Sequence, residues 1–357
     1  MKKLLLIFGL LSTSLFSVNA QVLQSENFDG LTIGNVGSSF TGASAGQGSL
    51  KTFATNGTAA TTSTTNAGNS NFQVVSAGNN TTKGIQIEGP NGNDGGKFVW
   101  KDGLPAIWTS RTSGNEIIEL ELDINPGAGT TSSTNDFGAY IFNSAGDRVL
   151  AGFTVTAATR ELVLVAYSTP AGSTVNNWSY GLAAAPGILL PANTFSRIGI
   201  SYNVTSGQIR IKAPGIAAAG LTLTGSSAGT APAEVDFVAF SGHTTALPNT
   251  LSSTMVMDNL IVRASATDTL LENNTFEVNN NFSVSPNPAN DFVTISNADN
   301  ISVTAISITD LNGRVVKQNS YSNVTNVQVN VSDLAAGVYM MCISSDRGSV
   351  TKKIIKN

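Results

Sequence analysis

Three carboxylate side chains alternate with apolar residues in the middle of this chain. Glu119, Glu121 and Asp123 are separated by Leu120 and Leu122. In an extended strand, alternate side chains lie on one face, about 6.7 Å apart at each step. Paired carboxyl groups on one face are the groups with which glycosidases cleave a sugar bond, one as acid and one as nucleophile or base. Glu119, Glu121 and Asp123 are therefore the candidate catalytic residues.

This run resembles the catalytic strand of jelly-roll glucanases, in which the outer carboxylates of Glu-x-Asp-x-(x)-Glu are nucleophile and acid/base. Aligned on Glu121 and Asp123, the acid/base position falls on Asn125, whose amide cannot supply the proton of general acid catalysis. Aligned on Glu119, the acid would be Asp123, whose side chain is one methylene too short. We therefore interpret the three carboxylates as the solvated face of an amphipathic strand, and a glycan-cleaving hydrolase as the alternative.

The surrounding sequence predicts an all-β domain that would position this strand. Charged residues make up only 12% of the chain, and short apolar runs alternate with segments rich in Gly, Ser, Thr and Asn. More than ten strands without helices indicate an antiparallel two-sheet jelly roll over residues 21–265. The expected strands are 22–28, 72–75, 84–87, 97–100, 116–124, 138–142, 149–155, 162–167, 197–202, 208–212, 235–240 and 255–262, with a loop over 169–193.

Three segments of this domain resemble the concanavalin A-like and laminin-G-like sandwiches. They are the hairpin pattern at 195–209, the opening Glu26-Asn27-Phe28-Asp29 and the closing Met257-Asp258-Asn259-Leu260. The resemblance implies that the first and last strands lie side by side. It also implies a structural Ca²⁺ at that corner, with Glu26, Asp29 and Asp258 as candidate ligands. Calcium prefers six to eight oxygen ligands. The alternative is that these are ordinary turn carboxylates at strand ends.

Two aromatic residues suggest how such a domain could bind a glycan without cleaving it. Trp178 and Tyr180 lie in the polar segment Asn176-Asn177-Trp178-Ser179-Tyr180-Gly181, where their rings could stack on sugars. Trp100 and Trp108 are expected in the core. Three hypotheses follow for the domain: a non-catalytic protein that binds an extracellular polysaccharide, a glycan-cleaving enzyme, and a structural or adhesive surface protein. We expect the first.

The C-terminal residues 282–357 carry four spaced motifs. They are Ser285-Pro286-Asn287-Pro288-Ala289-Asn290, Asp310-Leu311-Asn312-Gly313-Arg314, Leu334-Ala335-Ala336-Gly337-Val338-Tyr339 and Lys352-Lys353-Ile354-Ile355-Lys356. Together they resemble the type A sorting domain of the type IX secretion system. The resemblance implies a cargo protein that crosses the periplasm and is handled by the type IX translocon and its attachment machinery. The cargo would then be secreted or held at the outer-membrane surface. The implied motif residues are Pro286, Asn287, Pro288, Asp310, Gly313, Arg314, Gly337, Tyr339, Lys352 and Lys353.

The residues of this tail also predict a fold of their own. Asn312-Gly313 favours a hairpin turn after the alternating run 303–308, and 338–343 is expected to pair with 350–355. About seven short strands indicate a small immunoglobulin-like β-sandwich. Cys342, the single cysteine, is expected to be buried in its core.

The chain ends and the overall charge complete the organisation. Residues 1–20, with Lys2-Lys3 followed by an apolar run and Val18-Asn19-Ala20, have the features of a secretory signal peptide. The Asn-rich residues 266–281 are the expected linker between the jelly roll and the tail. The net charge is −4, from 19 Lys and Arg against 23 Asp and Glu. Such an acidic chain without basic clusters is not expected to bind nucleic acid.

Overall fold

The structure is a computed structural model that describes residues 20–55, 66–129, 133–242, 244, 247–271, 282–297, 302–310, 314–345 and 348–357. The expected signal peptide up to Asn19 and the linker residues 272–281 lie outside the described residues.

The jelly roll is built from seventeen strands and a single α-helix among the described residues 20–271. The strands are β1 (Gln21–Glu26), β2 (Gly34–Asn35), β3 (Leu50–Ala54), β4 (Phe72–Val75), β5 (Gly84–Glu88), β6 (Gly96–Lys101), β7 (Ile117–Asn125), β8 (Asn135–Phe142), β9 (Val149–Thr156), β10 (Glu161–Ser168), β11 (Asn176–Gly181), β12 (Ile188–Leu189), β13 (Ser196–Asn203), β14 (Gln208–Lys212), β15 (Leu221–Thr224), β16 (Glu234–Ser241) and β17 (Thr254–Ser265). The helix is α1 (Leu104–Thr109), and short 3₁₀ turns cover Gln47–Ser49, Asn69–Asn71 and Asn79–Thr81.

These strands form two antiparallel sheets. The first sheet has the order β15-β14-β13-β7-β17-β5-β4-β2, and β1 pairs with β17; the second has the order β11-β10-β9-β8-β16-β6-β3, and β12 pairs with β10. Alternate side chains such as Leu120 and Leu122 from the first sheet and Phe137 and Phe153 from the second are fully buried in one core. The alternation of apolar residues along each strand therefore packs the sheets face to face, as predicted for an all-β jelly roll.

The first and last strands of this domain are neighbours, as the resemblance implied. Strand β17 pairs with β7 along its length, while on its other edge it pairs first with β5 and then with β1. The register places Glu26 opposite Leu260 and Gln21 opposite Ala264. Because β7 and β17 are adjacent central strands, the side chains of β7 are flanked by those of β13 and β17.

Three details of this domain differ from the sequence-based expectation. The segment 169–193 is not a continuous loop, because Asn176–Gly181 forms edge strand β11. The sequence predicts no helix, but a short helix, α1, is present. It places Trp108 in the core, as predicted, where this residue is 4% exposed. Trp100, expected in the core, is instead half-buried, because on β6 it alternates with the core residue Val99 and so faces away from the core.

In the described part of residues 282–357, the C-terminal sandwich has seven strands in two sheets. They are β18 (Phe282–Ser285), β19 (Phe292–Asn297), β20 (Val303–Thr309), β21 (Val315–Val324), β22 (Val327–Asn330), β23 (Gly337–Ser345) and β24 (Gly348–Lys356). The sheets are β18-β19-β22 and β21-β20-β23-β24, so both predicted hairpins, β20–β21 and β23–β24, are present. The prediction for Cys342 is wrong. It is partly exposed, because Met341 and Ile343 on either side of it point into the core.

Candidate functional site

The three candidate carboxylates lie on the face of the first sheet that is turned away from the core, but this face is not solvated. Glu119 is fully buried, and Glu121 and Asp123 are each 6% exposed. The interpretation of an open polar face is therefore wrong. Two features bury the carboxylates: arginines from both neighbouring strands, and a chain segment that folds back over them.

The arginines come from the strands that flank β7. The register places Arg263 of β17 opposite Glu119 and Arg197 of β13 opposite Asp123. Arg263 donates to Glu119 from Nε at 3.1 Å and to Glu121 from Nη2. Arg197 donates to Glu121 at 3.2 Å and to Asp123 at 3.3 Å. Each guanidinium thus bridges two carboxylates, a geometry that its planar set of donors allows.

We call residues 266–271 the strap, because they leave the end of β17 and return across this face. The backbone N–H and the hydroxyl of Thr269 donate to Glu119 at 2.5 and 2.7 Å, and Leu271 N–H donates to Glu121 at 3.1 Å. Leu270 is fully buried. The sequence predicts a linker over 266–281, but the contacts of the strap with the first sheet make residues 266–271 part of the jelly-roll structure.

Further bonds hold the strap on the opposite side of the face. Asp268 accepts a hydrogen bond from Ser201 at 2.5 Å, and Arg210 lies 3.6 Å from it. Lys212 Nζ donates to the Leu270 carbonyl at 2.7 Å. A Cβ at Gly199 would lie 3.0 Å from the end of the Leu270 side chain, so a larger residue there would require Leu270 to shift.

This arrangement is poorly suited to glycoside cleavage. The Glu119 oxygens accept bonds from Arg263, Ser265 and Thr269, and a substrate could reach them only by displacing the strap. Asn125, at the proton-donor position of the glucanase alignment, instead accepts a bond from Gly127 N–H at 3.0 Å, which forms the turn after β7. The cluster therefore works as a buried polar network that fixes β13, β7, β17 and the strap to one another.

The predicted calcium ligands are occupied by protein donors. Glu26 forms an ion pair with Lys101 at 2.8 Å. Asp29 accepts a bond from Lys83 N–H at 2.9 Å, and Asp258 accepts bonds from Asn79 N–H at 2.8 Å and Thr82 at 3.0 Å. Within the described ranges, no group of three or more His, Cys, Asp or Glu residues could hold a metal ion. These residues as placed do not fit a calcium shell, and structural calcium stays a prediction.

Trp178 and Tyr180 lie on the edge strand β11, opposite the buried residues Ala166 and Leu164 of β10. They therefore face the core side of the second sheet, and both are half-buried. The indole N–H of Trp178 donates to the Thr174 carbonyl at 3.0 Å, and the Tyr180 hydroxyl lies 2.5 Å from the hydroxyl of Ser168. A role for these rings in ligand binding stays a prediction.

The opposite face of the second sheet, turned away from the core, carries a row of aromatic side chains that the sequence reading did not identify. We call it the aromatic strip and define it as Phe53, Phe98, Phe240, Tyr140 and Phe142. Its consecutive ring centroids lie 6.0, 5.3, 5.8 and 5.7 Å apart, across strands β3, β6, β16 and β8. The four phenylalanines are half-buried, while Tyr140 is 9% exposed. Each ring alternates with a core residue along its own strand.

An acidic pair lies between the rings of this face. The register places Asp236 opposite both Trp100 and Tyr140, and Glu234 opposite Phe142. Asp236 is 3% exposed and hydrogen-bonded to Glu234 through their carboxyl groups. Among the described side chains, none hydrogen-bonds to its Oδ1. Burial raises the pKa of Asp236 well above its ordinary value, and the charge and hydrogen bond of Glu234 raise it further.

The first and the last sorting motif of the C-terminal sandwich are in contact. The side chain of Asn287, between Pro286 and Pro288, donates to the Lys353 carbonyl at 2.8 Å and accepts from Ile355 N–H at 2.9 Å. An amide side chain can do this because it carries both a donor and an acceptor. The first motif is thereby joined to the last strand, β24.

The two middle motifs make local contacts. Arg314 donates to Asp310 at 3.1 Å across the turn, and the Tyr339 hydroxyl donates to the Ala335 carbonyl at 2.9 Å. Gly337 begins β23, and Lys352 lies in β24. Gly313 lies outside the described residues.

The chain is similar to several solved structures. One is described as "Cellulose induced protein, Cip1", with 12% identity and a TM-score of 0.36 over 55% of this chain and 85% of that one. Another is an alginate lyase from Chlorella virus, with 12% identity and a TM-score of 0.36 over 61% of this chain and 93% of that one. The chain is also similar to the alginate lyase Aly36B in complex with an alginate trisaccharide, with 14% identity and a TM-score of 0.42 over 69% of this chain and 98% of that one. At such low identity no activity or ligand transfers to this chain. No curated protein matches it.

The tail, in contrast, matches a family model. Residues 283–357 match the family described as "Secretion system C-terminal sorting domain", which confirms the resemblance drawn from the four motifs. In the part of the chain that the structure describes, no helix is long and apolar enough to cross a membrane. Residues 283–357 are a secretion system C-terminal sorting domain, and the jelly roll that precedes them is its cargo.

Proposed function

We propose that the jelly roll is a non-catalytic domain that binds an extracellular polysaccharide through the aromatic strip, after the sorting domain has directed its export. The observation that carries this proposal is the strip itself: five aromatic rings in contact, across four neighbouring strands of one sheet. Phe98, Phe142 and Phe240 pack against a second buried cluster, formed by Tyr140, Val149, Val165 and Val238, and yet remain half-buried. Part of each phenylalanine ring therefore stays accessible to a ligand.

The chemistry of the strip suits sugars. The faces of aromatic rings stack against the apolar C–H faces of sugar rings, and the neighbouring polar groups can bond to the hydroxyls. A row of rings, as opposed to a single ring in a deep cavity, favours a polymer that contacts several rings in succession. On the same face of the second sheet, the Arg148 guanidinium lies 4.8 Å from the centre of the Tyr167 ring, so this face also carries a charged hydrogen-bond donor.

The state of the acidic strand favours binding over cleavage. Cleavage requires two carboxyl groups that reach the sugar bond from opposite sides. Here Glu119 and Glu121 are joined by Arg263 and covered by the strap. Under this proposal the strap closes the face of the first sheet, and the second sheet carries the ligand.

A glycan array with the full chain tests this proposal. We expect binding to at least one polysaccharide, and a loss of about tenfold or more when Phe98 and Phe240 are both replaced by alanine, since each aromatic contact contributes about 0.5–1.5 kcal/mol. The matched control is Trp178→Ala, which removes a larger ring from the core-facing side of β11. Melting curves show whether each variant is folded. Binding lost in W178A but kept in F98A/F240A would move the site to β11, and no binding to any polysaccharide would refute the proposal.

A further inference from the structure

One side of the jelly roll carries no charge. It is formed by residues 169–196, which contain β11 and β12, and by residues 213–233, which contain β15; neither range includes Asp, Glu, Lys, Arg or His. The two ranges are in contact, since the hydroxyls of Thr169 and Ser226 lie 3.1 Å apart. We call this surface the uncharged side. Copies of a chain with a net charge of −4 repel one another in general, but here two copies can meet without a contact between like charges.

The uncharged side also exposes apolar residues. Four side chains that pack against the edge of the core are only half-buried here: Leu182, Ile188, Ile216 and Leu223. Beside them, Leu189 and Leu221 are 39% and 38% exposed, and the alanines 183–185 and 217–219 are exposed as well. An exposed apolar patch of this kind on a folded domain typically marks a contact with another molecule.

The strand edges on the uncharged side are open, whereas those on the opposite side of the sandwich are blocked. Strands β11 and β15 are the last strands of their sheets among the described residues. Strand β11 contains no charged residue, proline or bulge, the features by which edge strands usually avoid pairing with another chain. On the opposite side, β2 has only two residues, and the edge of β3 is covered: Ala54 N–H donates to the Phe40 carbonyl at 2.9 Å, and Gly42 N–H to the Thr52 carbonyl at 2.8 Å. The free edge of β11 is therefore able to accept another strand.

We propose that two copies of this chain associate through the uncharged side, with β11 of one copy pairing antiparallel with β11 of the other. A two-fold axis brings the same surface of both copies together, so each copy covers the apolar residues of its partner. The two ranges offer enough exposed residues for one side of a stable interface, which uses about 20–30. The second sheet then continues from one copy into the other. The aromatic strip lies on a face of that sheet and not at its edge, so it stays uncovered, and the association does not depend on the proposed function.

Analytical ultracentrifugation of the full chain over a range of concentrations tests this proposal. We expect a monomer–dimer equilibrium for the wild type. Ser179→Lys, in the middle of β11, and Val175→Lys, just before it, should each raise the dissociation constant of the dimer at least about tenfold, because they bring like charges together at the contact. Both residues are exposed, and melting curves show whether each variant is folded. Ile33→Lys is the matched control, because Ile33 is 59% exposed and lies beside β2 on the opposite side; it should leave the equilibrium unchanged.

Hydrogen exchange of the wild type locates the contact without any substitution. The N–H groups of β11 should exchange more slowly at concentrations where the dimer prevails than after dilution, since pairing protects them. A wild type that is monomeric at every concentration, or that associates beyond a dimer without limit, overturns the proposal. A dimer that persists in both S179K and V175K, or that I33K weakens as much as V175K does, overturns it as well, because the contact would then lie elsewhere.

Discussion

Arg263 Nε donates to Glu119 Oε2 at 3.1 Å, and both residues are almost completely inaccessible to solvent, at 4% and 0% exposed. The pair joins β17 to β7 at the centre of the first sheet. Removing one partner of such a pair leaves a buried charge without compensation, which costs far more than the pair contributes on its own.

The substitution Arg263→Met therefore should destabilise the jelly roll by about 3–5 kcal/mol, because Glu119 and Glu121 would remain buried without their shared counter-ion. Denaturant unfolding of the full chain measures this change. Arg314→Met is the control, since Arg314 lies in an exposed pair with its side chain 78% accessible, and a loss below about 1 kcal/mol is expected. Similar losses in both variants would contradict the buried network.

The strap should contribute to stability through Leu270. Replacing this fully buried side chain by alanine is expected to cost about 2–4 kcal/mol of unfolding free energy. Leu251, which is 50% exposed, is the matched control, and Leu251→Ala should change stability by less than about 0.5 kcal/mol. If L270A unfolds at the same denaturant concentration as the wild type, the strap does not pack on the sheet in solution.

The stability that Asp258 contributes to the jelly roll should decrease as the pH rises. Burial, opposed by the hydrogen bonds from Asn79, Asn259 and Thr82, raises the pKa of Asp258 from its ordinary 3.8 to about 6. The folded state therefore binds this proton more tightly than the unfolded state. The resulting stabilisation is complete below pH 3.8 and is lost as the pH rises through 6.

Melting curves of the wild type and Asp258→Asn between pH 4 and 6.5 isolate this contribution, because every other group titrates in both proteins. We expect the stability of the wild type relative to the variant to decrease as the pH rises. A constant difference across this range would mean that the pKa of Asp258 is not raised.

Much of the fold could be predicted from the sequence, because it depends on local alternation. Strands such as β7 and β13 show apolar residues at every second position, and the pairing of β1 with β17 followed from the segments around Phe28 and Asp258. Strand β11 was not predicted, because the polar residues Asn176, Asn177 and Ser179 are typical of a loop. It is an edge strand with one exposed side, where polar side chains stay in contact with water and do not destabilise the sheet.

The surroundings of the carboxylates could not be predicted, because they depend on register. Arg197 and Arg263 lie 74 and 144 positions away from their partners Asp123 and Glu119, and only the order β13-β7-β17 brings them together. The available signal was that each arginine alternates with apolar residues on its own strand, which places it on the same side of the sheet as the carboxylates. The aromatic strip was missed for the same reason, since its five residues come from four strands.

Export should depend on the contact between the first and last sorting motifs. A chain without residues 352–357 loses most of β24 together with the carbonyl and N–H groups that Asn287 bonds, and it is expected to accumulate in the periplasm. Asn287→Ala should also lower the amount of protein in the medium, because it removes the two hydrogen bonds between Asn287 and β24, of about 1 kcal/mol each.

Asn319→Ala is the control for this substitution, because Asn319 is an exposed residue on β21 of the same domain. Immunoblots of medium and periplasm compare the three variants. Normal amounts of the truncated chain in the medium would show that β24 is not needed for export.

We propose that the jelly roll holds a polysaccharide without cleaving it, and the release of reducing ends shows whether cleavage occurs. The full chain is incubated with a polysaccharide that it binds, and bound protein and new reducing ends are measured in the same samples. We predict that the protein stays bound and that reducing ends do not increase, because Glu119 and Glu121 are held by Arg263 under the strap. If reducing ends accumulate with the wild type but not with the variant Glu119→Gln/Glu121→Gln/Asp123→Asn, the jelly roll is an enzyme and the acidic strand is catalytic.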